Sequence, residues 1–377
     1  MDRRLHVALL TPNLTLGGAE RWVVSLARHF DPKRVKVTGV AISGFGGIDP
    51  LLRKEIQAVA PLHSHGDPTQ RPAHARVCDT QGVRLHATLQ AAVVAACRNA
   101  DVLVGWGDPS LGYSVPEWLP LPVVLVSHTT ATTDLQKPMV PRITHCAAVS
   151  EAAAGYFLGR PDMNDRPVTV VYNGAETDRL RVTESRAAMR RQWGIPETAK
   201  VMVHIGRLSP EKNPGACIST IPHLPDDFYA VHYGTAEQLH QPWAAALRHK
   251  AGLYGRRVVF CDPIWQIGNV LNAVDVVVLA SQREAFSLVL LEAWLCGVPV
   301  VATPVGSVPE LERQYGPLTC GVRADPTPRD LANAVRRAVG AEGQRLAVKA
   351  KAISIEQFTA TQMAGRWTDY LRDTIGR

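Results

Sequence analysis

Short, almost wholly apolar runs recur along this chain, separated by segments long enough for a helix, and that alternation leaves few folds open. The first series is LHVALLT (5–11), VKVTGVAI (35–42), DVLVGW (101–106), PVVLVS (122–127) and THCAAVS (144–150). A strand that is apolar on both faces must be covered on both faces, which points to parallel strands within α/β units. Helix-length pieces such as Ala19–His29 and Gln81–Arg98 lie between the runs. After VTVVYNGAETDRL (168–180) the chain turns polar and helical through Trp193. A second series then begins with KVMVHIG (200–206), DFYAVHYG (227–234), RVVFC (257–261), DVVVLAS (275–281), VPVVAT (298–303) and PLTCGV (317–322).

The expectation is two doubly wound α/β domains, 1–178 and 179–354, followed by a closing helix over 355–377 that returns to the first. Phe358, Met363, Trp367 and Tyr370 are spaced for one apolar face of that helix. Ligands of such sheets bind beyond the carboxyl ends of the strands, so a cleft between the domains is the expected site. Residues 44–90 carry Gly-, Pro- and His-rich pieces (SGFGGIDP, HSHGDPTQRPAH) and are read as a long loop region beside it.

Composition removes the other classes. With 46% hydrophobic and 20% charged residues and a mean hydropathy of −0.04, the chain is an ordinary globular protein, not a disordered, collagenous or coiled-coil one. No apolar run approaches the ~20 residues of a membrane helix. The start MDRRLHVALLTPNLT offers neither a long apolar run nor a small-residue cleavage site, so a cytoplasmic protein is expected. Seven cysteines without a CxxC pair fit free thiols in a reducing compartment. Of the net charge of +7, residues 1–178 hold +1 and residues 179–377 hold +6. That excess suits a phosphate-bearing ligand in the second half, whereas dispersed Arg and Lys without interleaved aromatics exclude a nucleic-acid stripe.

The passage with most chemistry in it is SQREAFSLVLLEAWLCGVPVVATPVGSVPEL (281–311). A strand ends at Ser281, Glu284 lies in the turn, and a helix is expected from about Phe286 to Cys296. The amides of Phe286, Ser287 and Leu288 at its start would form an anion site. Glu292 stands in a helix apolar nearly all round, and a buried carboxylate requires a partner. The hydroxyls of a bound sugar or ribose would serve, and so would an arginine.

Glu284 and Glu292 are separated by seven residues, and the passage resembles the signature of retaining glycosyltransferases of family 4, with the GT-B fold. LTPNLTLGGAERW (10–22) resembles the family's N-terminal glycine loop, VVYNGAETDRL (170–180) its interdomain segment, VMVHIGRLSPEKNP (201–214) its phosphate-binding motif, and VGSVPEL (305–311) the turn after the signature helix. The resemblance spans most of the chain. It implies two Rossmann-like domains facing a cleft, an acceptor-binding one and then a nucleotide-sugar-binding one. It further implies that Arg207 and Lys212 neutralise the donor diphosphate, as charge stabilisation of a leaving group requires.

By the same resemblance Glu284 contacts the transferred sugar, the amides of Phe286, Ser287 and Leu288 hold the diphosphate, and Glu292 binds the ribose. Gly17 and Gly18 let the first loop come close to the donor. His128, after the strand PVVLVS, lies near the reacting sugar, and the nucleobase lies near Pro263 and Ile264. Three positions depart from the family pattern: Ser287 and Asp262 replace glycines, and Trp294 replaces a smaller or more flexible residue.

The implied reaction moves a sugar from a nucleoside diphosphate sugar, UDP-linked first and GDP-mannose second, to a hydroxyl of a small soluble or glycan acceptor with retention of configuration. No Ser-His-Asp or Cys-His signature is present and none is needed. No DxD triplet follows a strand, so neither a metal nor another cofactor is expected. The partners are therefore the nucleotide sugar and its acceptor, with no nucleic acid and at most peripheral membrane contact. The first strand–helix turn lacks GxGxxG, which excludes a Rossmann dehydrogenase. A surface-polysaccharide transferase, a sugar-nucleotide epimerase and a non-catalytic nucleotide-sugar-binding module are the rival readings.

Overall fold

The computed structural model of this chain describes residues 3–15, 17–43, 47–65, 81–107, 114–130, 143–158 and 166–376. They divide into two compact units, Met1–Gly174 with Ala360–Arg377, and Ala175–Thr359.

In the first unit β1 (Leu5–Thr11), β2 (Val35–Ile42), β3 (Leu62–His65), β4 (Arg84–His86), β5 (Val102–Trp106), β6 (Val123–Ser127), β7 (Ile143–Ala148) and β8 (Val168–Val170) form one sheet. Its order is β4-β3-β2-β1-β5-β6-β7-β8, and the pairings are parallel. The apolar runs become central strands because helices cover both faces; Val7, Ala8, Leu9 and Leu10 of β1 have no exposed surface. The chain winds one way from β1 to β4 and the other way from β5 to β8. The order therefore reverses between β1 and β5, the position at which doubly wound sheets bind ligands.

Two sequence expectations change here. Gln81–Arg98 is not one helix: Arg84–His86 pairs with β3 as an edge strand, and the helix spans only Leu89–Ala96. Thr88 sets the boundary, its extended backbone and hydroxyl capping the amide of Ala91 at 3.1 Å. The stretch 44–90 is also more ordered than a loop. It supplies β3, β4 and a helix Pro50–Gln57, which Asp49 caps through the amides of Leu51 and Leu52. Residues 44–46 and 66–80 of it lie outside the described residues.

The second unit holds β9 (Lys200–Ile205), β10 (Phe228–Tyr233), β11 (Val258–Cys261), β12 (Val276–Leu279) and β13 (Val300–Ala302), parallel and ordered β11-β10-β9-β12-β13. Its switch point lies between β9 and β12. One face carries Met202, Phe228, Ala230, Val278 and Val301 against Leu331 and Val335 of the helix Pro328–Ala338. The expected strand PLTCGV does not form. Cys320 and Val322 donate to the carbonyls of Val300 and Ala302, but the amides of Leu318 and Thr319 are taken by the Glu312 carboxylate. With those donors bonded to a side chain, the segment runs beside β13 without a full ladder.

The closing helix begins at Ala360 rather than 355, because Ile355–Gln357 finish the preceding helix Ala341–Gln357. Met363 and Trp367 are fully buried in the first unit, and the Tyr370 hydroxyl donates to the Cys146 carbonyl at 3.3 Å. Phe358 is not part of that face: it lies in the second unit, edge-on to Tyr315. The described cysteines, Cys97, Cys146, Cys217, Cys261, Cys296 and Cys320, are free thiols. Among the described residues no helix is long and apolar enough to cross a membrane.

Candidate functional site

At the switch point of the second unit, the loops after β9 and β12 bring two charged residues together. Lys212 Nζ lies 2.8 Å from Glu284 Oε2, and Ser281 Oγ donates to Glu284 Oε1 at 2.8 Å. A further bond of 2.8 Å, from the Gln282 amide to the Glu211 carbonyl, ties the two loops. The turn 305–307 backs them: Gly306 has φ +58, and a Cβ there would lie 2.7 Å from the Glu284 carbonyl. Only glycine fits that turn against the loop, which explains why VGSVPEL accompanies Glu284 in sequence. Arg207, exposed at the tip of β9, pairs with Glu237 after β10 at 2.6 Å. The structure thus places Arg207 on the same loop as Lys212 but pairs it with a different carboxylate.

The helix after Glu284 starts at Leu288, not Phe286, with Ser287 as its extended N-cap. The Ser287 hydroxyl accepts from the Leu290 amide at 3.4 Å, so the residue that replaces a glycine serves the helix itself. Phe286 is buried ahead of the helix, and the first-turn amides from Leu288 onward are the donors at its end. Glu292 is 3% exposed and meets an arginine: Arg179 Nη1 lies 2.5 Å from its Oε1. Arg179 comes from a 3-10 turn, Thr177–Leu180, and its guanidinium stacks over the Trp265 ring at 5.0 Å. Pro263 is exposed and Ile264 half-buried in the loop after β11, directly before that tryptophan. Trp294 is fully buried and acts in packing.

In the first unit, Gly17 is the N-cap of the helix Gly18–His29. A Cβ on Gly17 would run into the Glu20 carboxylate, whereas one on Gly18 would meet nothing within 4 Å. Glycine is thus favoured at the first position, where a side chain would have to displace the Glu20 carboxylate, and among the described residues nothing crowds the second. Glu20 is buried and lies in the first turn of the helix, where its charge is favoured.

His128 follows β6 in a turn held by the Ser127 hydroxyl, which donates to the Thr129 carbonyl at 3.0 Å. Its ring is edge-on to both Trp22 (4.8 Å between centroids) and Trp106 (5.8 Å). Its Nε2 is covered and takes no hydrogen bond among the described residues. Burial pushes the imidazole pKa down to about 3. At neutral pH it is an uncharged hydrogen-bonding group rather than a proton donor carrying charge.

Sequence reasoning missed Ser281, Glu237, Arg179, Trp265 and Trp106. Arg179 alone had a signal, since a buried carboxylate at Glu292 calls for a cation. The others are brought in by loops or, for Trp106, by a strand end, whose neighbours the sequence does not encode.

Comparison with known proteins bears on the family and the fold. The family model described as glycosyl transferases group 1 matches residues 185–354, and the model of glycosyltransferase family 4 matches residues 16–179. The D-inositol 3-phosphate glycosyltransferase of Mycolicibacterium smegmatis is 28% identical over 54% of this chain and 51% of its own length. That of Salinispora tropica is 28% identical over 78% of this chain and 68% of its own. The chain thus spans about half the length of the first curated relatives it matches. Among solved structures, Anabaena HepE in complex with UDP and glucose superposes with a TM-score of 0.76 at 20% identity, over 98% of this chain and 100% of that one. Sucrose-phosphate synthase of Thermosynechococcus elongatus gives 0.72 at 16% identity, over 99% and 100%. These likenesses establish the fold. With adjoining models that account for residues 16–179 and 185–354, the chain belongs to the group 1, family 4 glycosyltransferases of GT-B fold.

Proposed function

We propose that this protein transfers a sugar from a nucleoside diphosphate sugar to a hydroxyl of a small cyclic polyol or glycan acceptor, with retention and without a metal. The observation that carries the reading is the Lys212–Glu284–Ser281 cluster at the switch point of the second sheet. It sets an ammonium and a sugar-binding carboxylate side by side, as a departing diphosphate and its glycosyl group require. The naming of the curated relatives after inositol 3-phosphate favours a cyclitol or its phosphate as acceptor, and the UDP bound to HepE favours a UDP-linked donor.

In this reading the donor occupies the second unit. Lys212 turns from Glu284 to the diphosphate, and Arg207 leaves Glu237 to join it, so two cations balance the charge that develops as the bond to the anomeric carbon breaks. Released from Lys212, Glu284 accepts hydrogen bonds from the sugar. The first-turn amides at Leu288 face the phosphates, Glu292 holds the ribose together with Arg179, and the loop of Pro263 and Ile264 carries the base. The acceptor is assigned to the first unit, beside His128 and the glycine loop. Its hydroxyl enters on the face the diphosphate leaves and gives its proton to the departing phosphate oxygen. His128 remains neutral and serves as a hydrogen-bonding group for the acceptor within the first unit.

The test is calorimetric titration with UDP, GDP, ADP and TDP in EDTA, followed by transfer assays with the corresponding sugar nucleotides and myo-inositol phosphates. One selected diphosphate and an acceptor-dependent product with retained configuration are expected. Conversion of the sugar nucleotide without an acceptor would make the protein an epimerase, and loss of binding in EDTA would end the metal-independent reading. Lys212→Ala is expected to weaken diphosphate binding about 10–100-fold, the value of one charged hydrogen bond. Its melting temperature should change little, because Glu284 retains Ser281. A large fall in melting temperature with unchanged binding would make Lys212 structural.

A further inference from the structure

Trp106 ends β5, one residue before Gly107, at the switch point of the first sheet. Its only polar atom is already committed: Nε1 donates to Thr11 Oγ1 at 3.1 Å. The Thr11 hydroxyl in turn donates to the Asn13 carbonyl at 2.7 Å, and Asn13 Oδ1 accepts from the amide and hydroxyl of Thr15. The bond from Trp106 therefore anchors the loop that leads into Gly17. The backbone of Gly107 (φ +86) also lies against the Pro12 ring, which a Cβ there would run into, so the loops after β1 and β5 are packed together. The indole is fixed in place, half-buried, with the His128 ring edge-on to it at 5.8 Å. Trp22, also edge-on to His128 at 4.8 Å, is fully buried, whereas Trp106 keeps part of its surface exposed.

A rigid, half-exposed tryptophan with no polar atom left can offer a ligand only its apolar ring. The complementary surface is the C–H face of a pyranose or cyclitol ring, whose hydroxyls point outward to the polar groups around it. From this geometry we infer that Trp106 is the stacking wall for the acceptor ring, a specificity-determining residue of the first unit. The inference rests on the transfer reading above. Selection follows from shape and from the one-sided character of the contact. Flat cyclic polyols lie against the indole, whereas linear polyols lose the continuous C–H face and bind less well.

Two variants separate stacking from anchoring. Trp106→Phe keeps an aromatic face and loses the bond to Thr11; Trp106→Leu loses both. Titration of myo-inositol and of glucose, followed by saturation-transfer NMR, reads the contact without requiring turnover. UDP binding measured on the same samples reports the integrity of the second unit, and circular dichroism reports the fold. Stacking predicts ring-ligand affinity down about tenfold in Trp106→Leu and nearly retained in Trp106→Phe. In transfer assays the acceptor KM should carry the change while the donor KM does not. Equal losses in both variants would make Trp106 an anchor of the glycine loop only and overturn the proposal. UDP binding with no response to either ring ligand would overturn it while leaving the transfer reading intact. Failure of every nucleotide to bind the wild-type protein would remove that reading and the proposal with it.

Discussion

At the scale of single residues, the charges of the candidate site are held in pairs. Glu292 is the most buried of the paired carboxylates named above, and Arg179 neutralises it while stacking on Trp265. Glu292→Gln keeps the size and one acceptor but leaves the guanidinium beside a neutral group, a change expected to cost about 1–3 kcal/mol in urea unfolding. Donor affinity should fall alongside, and a more stable variant with full activity would sink the ribose assignment. Buried histidines add a pH dependence. Burial pushes His128 down to about 3 and His204 to about 4, the latter with Lys212 nearby. Burial also lowers His63 to about 4, helped by His86 and Arg84, and holds His232 well below its ordinary value beside His204. Each binds a proton in the unfolded chain below about pH 6.5 but not in the folded one. Stability is therefore full above that pH and falls as pH drops toward 4, by up to about 1.4 kcal/mol per pH unit for each of His128, His204 and His232 and by less for His63, where solvent screens the charge. A melting temperature that held level from pH 7 to pH 4.5 would contradict this neutral burial.

At the scale of elements, helix ends decide where chemistry can sit. Ser287 caps one helix and so turns Glu284 out of it; Thr88 caps another and frees Arg84–His86 to become a strand. Arg190 closes a third contact in the second unit. It is 1% exposed and donates to the carbonyls of Ala273, Glu197 and Ala199 and to the Asp275 carboxylate. Removing it strands these acceptors, so Arg190→Ala should destabilise that unit by about 3–5 kcal/mol, measured by denaturant unfolding. Strand positions and their apolar character were legible in the sequence because a covered parallel strand is continuous apolar text. PLTCGV read the same way and is no strand, since the Glu312 carboxylate competes for its amides. Local text cannot register a competitor that arrives from the preceding helix.

For the molecule as a whole, the division into two units assigns the closing helix Ala360–Thr374 to the first. Trp367 meets Trp22 edge-on at 5.3 Å, and Arg366 donates to the Tyr172 carbonyl at 3.0 Å. Ending the chain at Thr359 should therefore loosen residues 3–174 and leave 175–359 protected, a contrast that amide hydrogen exchange reads directly. Trp367→Ala is the milder version, expected to cost about 3–5 kcal/mol in the first unit alone. Equal loss of protection in both units would show that the helix serves the second as well.

The order of the strands in the chain, the α/β class and the family follow from the sequence by itself, because alternation of apolar runs and spaced Gly, Glu and basic motifs are properties of neighbouring residues. Lys212 and Glu284 stood out there for the same reason. That they bond to each other, that Arg179 answers Glu292, and that Trp106 is pinned beside His128 depend on which strands become neighbours. Only the tertiary fold decides that. Side chains far apart in the chain meet where the sheet reverses its order, and this reversal is a property of the packed sheet as a whole.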